Sequence, residues 1–157
     1  MVIFYSIKTF RSALCSLCSK PKEGYSSVIK DICKEFKEKP IEEIRINRDM
    51  IISEDKFTII KLRLPNSGQN LSKKNGFRLI YLVHKQNDEV TFLYIYPKRG
   101  PKGLITIKDN EILSLLDEFA EENKGSLLVS HDIENELEEI KINQPNVVIM
   151  DITSVIK

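Results

Sequence analysis

In the run FTIIKLRL (57–64), Lys61 and Arg63 stand two residues apart. Alternation along a strand puts both on the face that carries Ile59, with Ile60, Leu62 and Leu64 on the other. A second run, FRLIYLVHK, sets Phe77, Leu79, Tyr81 and Val83 on one side and opens the other with Arg78. A third, VTFLYIYPK, ends in Lys98 and is followed at once by Arg99. Lys73 and Lys74 fall in the loop PNSGQNLSKKNG, beside these strand ends. The chemistry open to such a group of ammonium and guanidinium side chains is the binding of an anion, above all the bidentate gripping of phosphate.

Cations on a sheet are usually solvated and paired with acids across the strands. Here residues 56–108 hold eleven Lys and Arg against Asp88 and Glu89, so local pairing satisfies two of them at most. Clustered like charges repel, and a polyanion is the counter-charge that makes the arrangement tolerable. Nucleic acid is the natural polyanion. Tyr81, Tyr94 and Tyr96 lie on the same strands and offer stacking surfaces for unpaired bases. Tyr96 is the best placed of them, beside Pro97, Lys98 and Arg99, whereas Tyr81 and Tyr94 read equally well as core residues. The net charge of +1 hides this bias: residues 1–108 carry 21 Lys and Arg against 11 Asp and Glu, and residues 109–157 carry 3 against 12. A basic body paired with an acidic end suggests a polyanion-binding surface that the end balances, covers or regulates.

The elements that must position these residues follow from periodicity. VIFYSI is a strand candidate, and KTFRSALCSLCSK has Phe10, Leu14, Leu17 and Cys18 at helical spacing. After Pro21 and Gly24, the residues Tyr25, Val28, Ile29, Ile32, Cys33 and Phe36 form one apolar stripe of a second helix, in a segment closed by Pro40. The stretch 41–55 is polar and shows no clear period. The three strand runs read as an antiparallel meander, with a long polar loop between the first two and the short turn QNDE between the second and third. TIKDNEILSLLDEFAEEN is a third helix, with Asp109 as its cap and Ile112, Leu115, Leu116 and Phe119 inward. The last 33 residues hold the apolar run LLV, an acidic helix candidate HDIENELEEIKI and a strand candidate NVVIMDI.

At 157 residues, 41% apolar and 30% charged, the chain is an ordinary globular sequence with room for one domain and a real core. No membrane span and no export signal are present, so a cytoplasmic location is expected. Cys15, Cys18 and Cys33 then read as reduced thiols, and no second Cys or His pair follows at finger spacing, so no metal and no cofactor are expected. His84, at a strand end, reads as a packed or surface histidine rather than an acid.

The succession KLRLPNSGQNLSKKNGFRLIYLV, FLYIYPKRG and a helix near TIKDNEILSLL resembles the RelE/HigB-like toxins of bacterial toxin–antitoxin modules. Those proteins show a Lys-x-Arg strand, a Gly/Lys-rich loop, a Gly-aromatic-Arg-x-Ile-Tyr strand and an Ile-Tyr-x-Lys strand end. The resemblance spans roughly residues 2–123 and is strongest over 59–99. It implies an α+β fold with a small antiparallel or mixed sheet, two N-terminal helices and one C-terminal helix. The toxin domain would cover residues 1–124, with an acidic extension, 125–157, packed on it.

The activity implied is that of an endoribonuclease that cuts mRNA, often on the ribosome, without a metal, and inhibits translation until a cognate antitoxin binds it. By the same resemblance Lys61, Arg63, Lys73, Arg78 and Arg99 match catalytic positions. Arg78 and Arg99 would neutralise phosphate charge, and Lys61 or Lys73 would accept the proton. Lys74, Tyr96, Lys98 and Lys102 would contact RNA. The sequence departs from the pattern at Leu71, where the family carries a loop lysine, and after the basic strand end, where GPKGLITI offers only Lys102. Two other readings share the scaffold: a non-enzymatic toxin of the ParE type that binds a protein such as gyrase, and a member that binds RNA without cutting it. Fold alone does not separate them.

Overall fold

A computed structural model describes residues 1–46, 49–104 and 106–139 of the chain. The chain opens with β1 (Ile3–Ser6), α1 (Lys8–Cys18), α2 (Val28–Phe36) and α3 (Ile41–Arg45). Then come β2 (Met50–Ser53), β3 (Phe57–Leu64), β4 (Phe77–His84), β5 (Glu89–Pro97), α4 (Asp109–Lys124), β6 (Val129–Asp132) and the two-residue β7 (Glu138–Glu139). The strands make one mixed sheet in the order β2-β3-β4-β5-β1-β6-β7, so the fold class is α+β. β2 to β5 form the expected antiparallel meander, and β1 lies parallel to β5.

The alternation in the three strand runs sorts side chains between two covered faces. Phe77, Leu79 and Tyr81 of β4 meet the N-terminal helices: Phe36 of α2 stands edge-on to Tyr81, Tyr25 edge-on to Phe77, and Phe10 of α1 stacks on Phe92. The buried Tyr81 hydroxyl donates to Ile44 O of α3, which satisfies it inside this apolar layer, and burial raises its pKa. On the other face α4 packs through Ile112, Leu115 and Phe119, the last against the His84 ring. That cover explains why every β4 residue from Phe77 to Val83 is buried.

Four α-helices are present among the described residues, one more than the resemblance implies. The unperiodic stretch 41–55 supplies both the additional helix, which starts directly after Pro40, and the edge strand β2. Short elements leave little repeat to detect, because a five-residue helix carries fewer than two turns and four residues of strand only two periods. Asp109 is the first residue of α4 and not its cap; Lys108 precedes it, and its N–H is bound by the Glu111 carboxylate at 2.8 Å. The helix expected from His131 onward is also overturned. His131 and Asp132 end β6, a single turn of 3-10 helix covers Ile133–Asn135, and Glu136 and Leu137 take positive φ of 55° and 65°.

The outer edge of β1 explains that choice of strand. Ser6 Oγ lies 2.6 Å from His131 Nε2, and His131 Nδ1 lies 2.7 Å from Leu137 O. A carbonyl only accepts, so Nδ1 carries the proton and the Ser6 hydroxyl donates to Nε2. Both side chains are buried, and Arg11 adds bonds to Ser6 O and Oγ. Residues 129–139 therefore extend the main sheet. The strand expected at NVVIMDI lies outside the described residues. No helix among them is long and apolar enough to cross a membrane.

Candidate nucleic-acid interface

Register brings the expected cations together. Arg63 of β3 stands directly across from Arg78 of β4, and Arg78 across from Tyr96 of β5. The next row on the same face is Lys61, Ile80 and Tyr94. α4 covers the far part of this face, leaving the Arg63 end uncovered by helix. Directly opposed like charges repel across a sheet pair, and the two arginines answer this differently. Arg63 points out to solvent. Arg78 is buried and turns back onto the loop before it, donating to Lys73 O at 2.9 Å, Lys74 O at 2.8 Å and Phe77 O at 3.2 Å. Burial and then Arg63 lower its pKa, while Tyr96 and Asp49 pull it back up.

The loop that carries Lys73 and Lys74 is built from its base upward. Asp31 is buried on α2, where its carboxylate accepts from Ser27 Oγ at 2.8 Å and from Ser67 N at 3.1 Å. Asn66 pairs backbone to backbone with Leu71 and donates its side-chain amide to Gly24 O. At the far end Gly76 passes so close to β3 that an added Cβ would sit 2.1 Å from Leu64 O, which only glycine permits. Arg99 then reaches over from β5's end and clasps Asn75 Oδ1 through Nε and Nη2 at 3.0 and 2.8 Å. The turn after β5 hangs on one residue: Tyr25 Oη donates to Arg99 O at 2.8 Å and accepts from Lys102 N at 3.0 Å. Gly100 allows that approach, with φ 87° and no side chain to meet the phenol.

Lys98 is the focus of the group. It is half-buried, its N–H is fixed by Gly76 O at 2.8 Å, and its pKa is lowered by lost hydration and then by Arg78, Lys61, Arg99 and Arg63. Four cations acting on one amine place them in one neighbourhood. Lys61, Arg63, Lys73, Lys74, Arg78 and Arg99 have no carboxylate within ion-pair distance among the described residues, since Asp88 pairs with Arg45 and Glu89 faces His84.

Several expectations change. Lys98, which the resemblance placed as an RNA contact, is the lysine whose ammonium form the neighbouring cations disfavour. Arg78 holds a loop instead of presenting its fork to solvent. Tyr96 is 2% exposed and so has no free face for a base; its hydroxyl is buried near Thr106, and burial raises its pKa. Tyr94, one row over, keeps its ring half exposed. Lys102 is clasped by Glu23. Cys15 is exposed, Cys18 half-buried and Cys33 buried, with burial pushing the Cys33 thiol up to about 11. No group of three or more His, Cys, Asp or Glu among the described residues is arranged to hold a metal.

Asn75 and Asp31 left no signal in the sequence, and Tyr25 showed there only as one residue of an apolar stripe. No family model, no curated protein and no solved structure matches the chain, so the resemblance in the strand motifs stands on the residues themselves.

Proposed function

We propose that the chain is the toxin of a toxin–antitoxin module, an endoribonuclease that binds mRNA across the ends of β3, β4 and β5 and cuts it without a metal. The observation that carries this reading is the convergence of Lys61, Arg63, Lys98 and Arg99 at one end of one sheet face, where Lys61, Arg63 and Arg99 have no carboxylate in reach among the described residues. In the reaction the RNA's own 2′-oxygen attacks the adjacent phosphorus as the bond to the 5′-oxygen breaks, leaving a 2′,3′-cyclic phosphate and a 5′-hydroxyl. Lys98, its ammonium form disfavoured by its neighbours, accepts the 2′-proton. Arg63, exposed, and Arg99, held by Asn75, offset the charge that builds on the phosphoryl oxygens. The 5′-oxygen leaves with a proton from solvent. Partners of this reading are mRNA, on or off the ribosome, and an antitoxin that covers the cationic end.

The test uses 5′-labelled RNA, free in EDTA and separately on translating ribosomes. Fragments ending in a cyclic phosphate, lost on Arg63→Ala with the melting temperature unchanged, support the proposal. Message left intact by the wild-type protein in both settings overturns it. One observation favours binding without cleavage: Arg78 already spends its donors on loop carbonyls. RNA retained but uncut would establish that second reading.

A further inference from the structure

We propose that the groove between α4 and the C-terminal half of β5 is a nucleobase pocket, in which Tyr94 stacks a base of the bound RNA and Glu111 accepts from that base's exocyclic amine. The inference rests on the RNA-binding reading above and adds where, and how, the strand is read.

The cavity measures about 290 Å3 and is walled by Ile107 and Leu115, both buried, by the half-buried Tyr94, and by Glu111 and Glu118 of α4. The Tyr94 ring is held in place by Tyr96, at a centroid distance of 5.9 Å and a tilt of 33°. Its hydroxyl makes no hydrogen bond among the described residues. A fixed ring with an open face is what base stacking requires, and it is sequence-tolerant because every base has a π-face. Discrimination comes from the rim. Glu111 Oε1 is occupied by Lys108 N at 2.8 Å, which fixes the carboxylate, while Oε2 has no partner among the described residues. Glu111 also faces Tyr94 closely enough to raise the phenol's pKa, second to burial. Glu118 is spent on Thr9, through both its N–H and its hydroxyl.

Position and charge identify the occupant. Tyr94 lies one row from the Arg63–Arg78–Tyr96 line, on the same face as the exposed Arg63 and diagonal to Arg78 at about 7–8 Å. The pocket thus neighbours the cationic end but is opposite to it in sign. Phosphates are held where the cations are and repelled at the rim, so an uncharged base is the part of the strand that fits. An ionised carboxylate only accepts, so the base must donate. Adenine, cytosine and guanine carry an amine for this; uracil presents a carbonyl oxygen in its place.

The experiment is fluorescence anisotropy with uncleavable 2′-O-methyl oligonucleotides: an adenine-rich one, its uracil counterpart, and the adenine-rich one with a single abasic site moved along it. The wild-type protein should prefer adenine over uracil and lose about fivefold or more at one abasic position. Tyr94→Ala should remove that loss, Tyr94→Phe should keep it, and Glu111→Gln should erase the preference for adenine, while Tyr94→Phe and Glu111→Gln retain the wild-type melting temperature. Binding that falls on Arg63→Ala but is indifferent to abasic sites, to Tyr94 and to Glu111 overturns the pocket and leaves the RNA reading standing. Failure of the wild-type protein to bind any of the three oligonucleotides removes both.

Discussion

Arg78 and Arg63 face each other across two strands, yet their surroundings give them different work, and stability separates the two roles. Arg78→Ala strips three carbonyls of a charged donor, so it should cost about 2–4 kcal/mol in denaturant unfolding. Arg63→Ala, on an exposed side chain, should stay within about 0.5 kcal/mol while reducing RNA affinity. Equal losses from both would mean that Arg63 is structural too. Lys98 has a signature of its own. A lowered pKa places more of its amine in the neutral form at a given pH, so cleavage should rise with pH up to that pKa and level off above it. Lys98→Arg keeps the charge but cannot shed its proton near neutrality. It should therefore retain RNA binding and lose the rising limb, a result that a merely electrostatic Lys98 would not give.

The elements hold this end of the sheet through contacts made elsewhere, and the junction of α4 with α1 is the clearest example. Lys8 N donates to both oxygens of Glu122 at 3.2 and 3.1 Å, and Thr9 N donates to Glu118 at 3.0 Å, so two carboxylates one turn apart on α4 satisfy the first amides of α1. They do not share the charge evenly. Bonds from Thr9 and Glu122, with Arg11 nearby, take Glu118 below the usual carboxylate range against the opposing effect of burial, while burial and Glu118 itself raise Glu122. Glu118 therefore contributes stability that is present above its unfolded pKa and is lost as pH falls through its lowered folded value. Glu122 acts in the opposite sense: the fold favours its proton, and its penalty grows as pH rises through the raised value. At pH 7, Glu118→Gln should cost about 1 kcal/mol. Glu122→Gln should cost less and flatten the pH dependence of the melting temperature; a larger loss from the second would reverse the assignment. None of this was legible in the sequence, where the spacing of the third helix singles out Ile112, Leu115, Leu116 and Phe119 and assigns nothing to Glu118 or Glu122. Legible were the contributions that repeat: the stripes of α1, α2 and α4, and the alternation that put Lys61 and Arg63 on one face. Contacts that bind residues 36 to 125 positions apart leave no period, which is why the roles of Asp31 under the loop, Tyr25 under the turn and the His131 strand emerged only in three dimensions.

Across the whole molecule the charge is sorted by place. Residues 109–139 hold eleven acids and one lysine, and they make up α4 and the β6–β7 end of the chain, while the strand ends carry the cations. The resulting field should bring a polyanion in from one side and orient it before contact. Affinity for single-stranded RNA should fall with salt, and each cluster cation replaced by alanine should reduce the slope of log K against log salt by about 0.7. Arg63→Ala titrated from low to high ionic strength checks this, and an unchanged slope would mean that Arg63 touches no phosphate. The sheet order has one further consequence. β1 is the first strand of the chain, yet it lies between β5, which it meets at Ile3–Glu89, and β6, which it meets at Phe4–His131. During synthesis β1 has no strand to pair with until β5, more than 80 residues later, has been made. The nascent protein thus carries β1 unpaired until the strands that bear the cations are complete, and only then can the sheet close around it.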